Sequence, residues 1–293
     1  MVPKTALETA PETAFKTVLV TGCSAGGIGG AIALALAKRG HRVIATARNT
    51  SKIADELQGH RNVTIQELDV SSTASVEAAQ AATQHRRVDV IVNNAGGDYP
   101  MPILDIDINL AQQLHDTNVW GPIRMVKAFS DHLIASRGRV VNINSSAASL
   151  NAPWMGSYLS SKAALKSLSD VLRLELAPFG VTVVTIMAGV VSTSSYDDKH
   201  ASAVPNNSRY SNIKENISVW ATEETRPKGD SPEEFAELVM DDIIGDVEEA
   251  VVWRGSHANE MRELSQAPII EIDDSMSKGK GLETLGGDAD MGA

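Results

Sequence analysis

The chain has a single cysteine, Cys23, among 293 residues. That excludes an internal disulfide and a multi-cysteine metal site, and it makes a reducing, cytoplasmic compartment the plain reading. Positive charge is scarce too. Lysine and arginine total 26 against 37 acidic residues, a net charge of −11. Nucleic acid and anionic membrane attract basic surfaces, so neither is expected as a main partner. No apolar run reaches the length of a membrane span. The N-terminus lacks a charged-then-apolar signal pattern, and nothing repeats. What remains is 43% hydrophobic and 22% charged residues, which suits one large domain or two small ones.

Residues 1–16 are rich in Ala, Thr, Glu and Pro without apolar periodicity, and are expected to form a mobile leader. The β-branched run Thr17–Thr21 then reads as a buried strand. It ends in Gly22-Cys23-Ser24-Ala25-Gly26-Gly27-Ile28-Gly29-Gly30, and a helical pattern follows to Gly40. Strand, glycine turn and helix together make a phosphate site. Glycines let backbone N–H groups approach a pyrophosphate, and the helix N-terminus adds partial positive charge. A second strand, Arg42–Thr46, leads to Ala47-Arg48 where NAD-preferring folds carry a carboxylate. A guanidinium in that place pairs with a 2′-phosphate, so NADP(H) is expected, with Thr46 and Lys52 assisting. The bland alternative makes Arg48 and Lys52 ordinary surface charges.

A third strand closes at Asp69-Val70, a helix covers roughly 73–84, and a fourth strand ends in Asn93-Asn94-Ala95-Gly96-Gly97. Asp69 is either a ligand contact or a helix N-cap, and Asn93 is open to a strand-tying role. Residues 109–136 read as one long helix or two, with Asn118 just before Pro122. Asn118 is there either a structural patch or a water-binding group. A fifth strand ends in Ser145-Ser146, and a sixth, Val181–Met187, ends in Ala188-Gly189. This alternation predicts an α/β fold, doubly wound, with a mostly parallel sheet, helices on both faces, and ligands at the carboxyl ends of the strands.

Between those two strands, Tyr158 and Lys162 sit four apart on a helical pattern, sharing one face. A phenol normally titrates near pH 10. A neighbouring ammonium favours the phenolate and lowers that value, so the pair can exchange a proton near neutral pH. Spacing alone leaves a solvated lysine and a half-buried tyrosine as the default.

The motifs taken together resemble the short-chain dehydrogenase/reductase family, a Rossmann-fold family using nicotinamide cofactors. The matching pieces are the Thr21–Gly29 turn, Asp69-Val70, Asn93-Asn94-Ala95-Gly96, Asn118, Ser145 and Tyr158…Lys162, across about 17–255. Within it, Pro153–Tyr158 and Val252–Gly255 look most like fungal NADPH-dependent 1-acyldihydroxyacetone-phosphate reductase-like proteins. The resemblance implies a single-domain Rossmann fold over 17–265 with a seven-stranded sheet. It implies that Tyr158 gives the proton, Lys162 tunes it and binds the nicotinamide ribose, Ser145 bonds the substrate carbonyl and Asn118 holds a water. Ser145 is preferred to Ser146 by its spacing from the tyrosine. Cofactor contacts are implied at Gly22, Ser24, Gly27, Ile28, Gly29, Asp69, Val70, Asn94, Ala95, Gly96, Val191 and Thr193, besides Tyr158 and Lys162. Two departures stand out. The doubled Gly26-Gly27 leaves the phosphate contact open, and Ala188-Gly189, in place of the usual Pro-Gly, is expected to loosen the nicotinamide loop.

The function expected is an NADPH-dependent reductase of a small or medium ketone or aldehyde. One alternative is an NAD(P)⁺-dependent alcohol dehydrogenase running oxidatively. Another is an NADP(H)-binding sensor or partner protein without turnover. Residues 192–230 are expected to be a substrate lid, and 266–293 a loosely held polar tail. The resemblance also implies a homodimer or homotetramer packed through the helices bearing Asn118 and Tyr158.

Overall fold

Short β-branched runs with every side chain buried can only be central strands, and they assemble here into one sheet. The computed structural model describes residues 15–193, 204–221, 228–282 and 285. Residues 1–14 of the leader expected over 1–16, and the rest of the lid and tail, lie outside them. In chain order the elements are β1 (Thr17–Val20), α1 (Ile28–Lys38), β2 (Arg42–Ala47), α2 (Asp55–Gln58), β3 (Val63–Glu67), α3 (Thr73–Thr83) and β4 (Val90–Asn93). Next come α4 (Ile108–His115), a π-helical turn (Asp116–Trp120), α5 (Gly121–Ser136), β5 (Arg139–Ser145), α6 (Gly156–Leu176) and β6 (Thr182–Ala188). The last are α7 (Lys214–Ala221), α8 (Pro232–Leu238), α9 (Met240–Ile244), β7 (Val251–Arg254), α10 (Ala258–Leu264) and α11 (Ile269–Ser277).

The strands order as β3-β2-β1-β4-β5-β6-β7, every neighbouring pair parallel. The expected doubly wound Rossmann-type sheet is therefore present. Alternate side chains feed two cores. Val18, Val20, Val92, Val141 and Ile186 pack with Ile32 and Leu36 of α1 and Phe235 and Val239 of the α8 segment. On the other face Leu19, Ile91, Val140 and Val183 pack with Val76 of α3 and Met125, Phe129 and Leu133 of α5. The strand order reverses between β1 and β4, which opens a crevice at their carboxyl ends. Among the described residues no helix is long and apolar enough to cross a membrane.

The expected helix over 109–136 is two helices joined by the π turn. Pro122 falls at the start of α5, where a missing N–H costs least. The tail differs from expectation. Its described part forms α11, with Ile272 buried, and Leu282 and Leu285 pack against Trp154, Ile213 and Ile217. Its lysines and glycines hid these three apolar anchors in the sequence.

Candidate active site at the carboxyl ends of the strands

The glycine turn is held by its neighbours on both sides. The Thr21 hydroxyl donates to Val92 O at 3.3 Å and accepts from the N–H groups of Asn94 and Ala95, both at 3.0 Å. Asn94 Nδ2 donates to Thr21 O at 2.9 Å and Gly22 O at 3.1 Å. On the β2 side, Cys23 N donates to Thr46 O and Ala25 N to Lys52 O, both at 2.8 Å. The doubled glycine now has an assignment. Gly26 takes the left-handed conformation, φ +70°, while Gly27 caps α1 in extended geometry. The N–H groups of Ile28, Gly29 and Gly30 follow that cap in the first turn, where a helix has no partners of its own to offer. Ser24 is half-buried, and its carbonyl accepts from Gly27 N. Cys23 is fully buried, which pushes its thiol up to about 12, so it is no nucleophile.

Arg48 and Lys52 lie exposed beside this turn. Thr46 does not join them. It is buried, and its hydroxyl donates to Val20 O at 3.0 Å, so its proton serves the sheet. Asp69 accepts from Ser71 N and Ser71 Oγ at 2.9 and 2.7 Å. The N-cap of α3 is Ser72, which overturns the N-cap reading of Asp69. Val70 is buried against Gly121. Gly96 lies against the Asn118 side chain.

The π turn carries Asn118 inward. Asn118 Oδ1 accepts from Gly97 N at 3.0 Å, and Nδ2 donates to Gly97 O at 2.9 Å and Ser161 Oγ at 3.0 Å. Both amide hydrogens are thus committed to protein, and the side chain clamps the loop after β4 to α6. A π turn breaks the i→i−4 ladder and is frequent at functional sites.

Bonds between β5 and α6 hold the strand end that bears Ser145 to the helix that bears Tyr158 and Lys162. Asn144 Nδ2 donates to Lys162 O at 3.1 Å while its Oδ1 accepts from Ser145 N. Lower down, Asn93 Nδ2 donates to Asn142 Oδ1, and Asn142 Nδ2 to Ser169 Oγ, both at 2.8 Å. Asn93 therefore does tie strands. The Ser145 hydroxyl accepts from Ala147 N at 3.2 Å, which leaves its own hydrogen to donate. Ser146 is buried and donates to Met261 Sδ. Lys162 is buried, its Nζ donating to Ile143 O at 3.0 Å and lying 5.9 Å from the Tyr158 ring centroid. Burial alone lowers its ammonium to about 8, and among the described residues no carboxylate pairs with it.

The loop after β6 is tightly held despite Ala188. Gly189 N donates to Arg254 O and Val190 N to Ser256 O, while Ser192 and Asp230 bond back across it. Val191 and Thr193 are both buried beside it. These bonds anchor the loop to Arg254, Ser256 and Asp230 where the usual Pro-Gly is missing.

The chain matches the family model for short chain dehydrogenases over residues 16–203. It belongs to the short-chain dehydrogenase family. Its members are oxidoreductases acting on CH–OH and C=O groups. This dehydrogenase is 40% identical over 247 residues to the short-chain dehydrogenase PC-15 of Penicillium crustosum, covering 83% of this chain and 90% of that one. It is 34% identical over 273 residues to the NADPH-dependent 1-acyldihydroxyacetone phosphate reductase of Schizosaccharomyces pombe, covering 87% and 91%. A short-chain dehydrogenase structure from Streptomyces avermitilis matches with a TM-score of 0.71 at 29% identity, over 84% of this chain and 90% of that chain. One from Burkholderia cenocepacia, in complex with NADP, gives 0.73 at 24% identity over 90% and 98%, a likeness of fold.

Two site residues of this short-chain dehydrogenase escaped the sequence reading. Ser161 is fully buried, donates to Tyr158 O at 2.6 Å and receives Asn118. Its place on the inward face, three residues after Tyr158, was the available signal. Thr21 reads as a strand end and the start of the glycine turn, and nothing in a lone threonine announces three bonds to β4 and the loop that follows it.

Proposed function

We propose that the protein is an NADPH-dependent carbonyl reductase of a small or medium ketone or aldehyde. The observation that carries this is Lys162, a buried ammonium with no carboxylate partner among the described residues, held between Ile143 O and the Tyr158 ring. A buried unpaired charge is costly, and a proton-transfer site is where such a cost has a use. The protein that needs only to bind a cofactor has no use for Tyr158 in that place.

The residues fit a dinucleotide. The first-turn N–H groups of α1 face a cradle in which a side chain at position 29 would collide with Gly22 O at 2.5 Å, and a pyrophosphate suits that surface. Arg48 and Lys52 suit a 2′-phosphate. When bound, NADPH supplies the hydride. The chain's own residues do the rest. Ser145 Oγ donates to the substrate oxygen and holds it against Tyr158. As negative charge grows on that oxygen, the Tyr158 hydroxyl gives up its proton. Lys162 stabilises the phenolate left behind, and its two remaining N–H donors would hold the nicotinamide ribose. Asn118, through the irregular backbone of the π turn, positions the carbonyls that would hold the refilling water.

Equilibrium binding of NADPH and NADH tests the cofactor reading. Arg48→Ala is expected to weaken NADPH about tenfold and leave NADH unchanged. Equal binding of the two cofactors to the wild type sinks the 2′-phosphate argument and favours the oxidative alternative. A pH profile tests Lys162. Its ammonium is full below about 8 and empties above it, so kcat/KM for reduction is expected to fall as pH rises through that value. A profile flat to pH 10 contradicts the role. We also propose self-association through the helices that bear Asn118 and Tyr158, where Trp120 of the π turn and Val171 and Leu174 of α6 are exposed. Light scattering at two protein concentrations measures it.

A further inference from the structure

Trp154 lies in the loop between Ser145 and Tyr158, four residues before the tyrosine. Three observations converge on it. Its backbone sits at φ +72°, a sparsely populated region for so bulky a residue and one that concentrates at ligand clamps. It is 94% buried (6% exposed), yet among the described residues the indole Nε1 has no hydrogen-bond partner, whereas a buried tryptophan N–H normally finds one. Finally, it joins otherwise separate segments. Its ring meets Tyr210 edge to face at 5.3 Å, and it packs with Val204, Ile213, Ile217, Leu282 and Leu285 from the lid and the tail. Its carbonyl accepts from Met101 N at 2.7 Å, and Met101 belongs to the cluster against which Tyr158 packs. One residue thus links the proposed proton donor to the lid and the tail.

A tryptophan present only for packing would be served by phenylalanine, which fills apolar space without stranding a donor. We propose that Trp154 determines specificity, its indole N–H meeting a second oxygen of the substrate, remote from the carbonyl that is reduced. The described side chains packed around the indole are apolar, which suits an uncharged part of the substrate. The aromatic pair suits a ring or an unsaturated chain. The substrate class is therefore an uncharged, apolar-bodied ketone bearing a remote carbonyl, ether or hydroxyl oxygen. This deepens the carbonyl-reductase reading and rests on it.

The test uses full-length enzyme with NADPH and pairs of uncharged cyclic ketones matched in size. In each pair one member carries a remote ether oxygen and the other a methylene in its place, with the oxygen moved along the series. The wild type is expected to prefer one oxygenated ketone by about 10- to 100-fold in kcat/KM. Trp154→Phe is expected to abolish that preference by losing the oxygenated ketone alone. Its NADPH dissociation constant and its turnover of the methylene partner are expected to hold within about twofold. Dissociation constants of the same pairs from the NADP⁺-loaded enzyme give a readout without turnover. If binding shows the preference and Trp154→Phe erases it while no ketone is reduced, the Trp154 assignment stands and the reductase reading falls. A wild type without preference anywhere in the series, a preference that survives Trp154→Phe, or an equal loss on both members overturns the assignment.

Discussion

Tyr158→Phe is expected to lower kcat by about 10²–10⁴-fold, the usual contribution of a positioned general acid, while the NADPH dissociation constant stays within about twofold. The substitution removes one oxygen from a half-buried ring that packs beside Tyr99 and Met101, so the fold has little reason to change. Lys162 keeps its bond to Ile143 O, which does not involve the phenol. Stopped-flow hydride transfer and a fluorescence titration with NADPH give the two numbers. This pair of outcomes separates the three readings. A catalyst loses turnover and keeps its cofactor. A sensor without turnover has no rate to lose. An unchanged rate moves the proton donor elsewhere, and Ser145 is then the first residue to examine.

The elements and their order were legible because they depend on local pattern. The β-branched runs at Val18–Val20, Val90–Val92 and Val183–Ile186 sit in fully buried strands, and the glycine turn and Tyr158…Lys162 fell where their strands and helices put them. What was hidden depends on partners far along the chain. Thr46 looks polar and available in sequence, yet Val20 O takes its proton. The tail reads as polar because lysine and glycine outnumber its anchors, while Ile272, Leu282 and Leu285 decide where it lies. Asn118 read as either patch or water holder. Its side chain is the clamp, and the π turn beside it is invisible to a helical periodicity.

Gly29→Ala is the second large effect expected, and it acts through geometry alone. A Cβ there would lie 2.4 Å from Asn94 Nδ2 and 2.5 Å from Gly22 O. Neither neighbour is a flexible tip. Gly22 O is main chain, and Asn94 Nδ2 is fixed by its bonds to Thr21 O and Gly22 O. Either α1 slides away from the β1 turn or Asn94 releases both carbonyls, and each course misplaces the N–H groups that would face a pyrophosphate. Overpacking of this kind costs about 1–3 kcal/mol, which in a chain of this size lowers Tm by roughly 2–10 °C. The loss of cofactor affinity is expected to be larger, on the order of 100-fold, because several donors move together. Gly59→Ala is the control, since its Cβ would meet Asp55 O at 3.4 Å, an ordinary contact. Calorimetric titration with NADPH beside a thermal melt reads both effects. A Gly29→Ala protein that melts lower yet binds NADPH like the wild type would show that the turn serves only the fold, and the dinucleotide would have to lie elsewhere in the crevice.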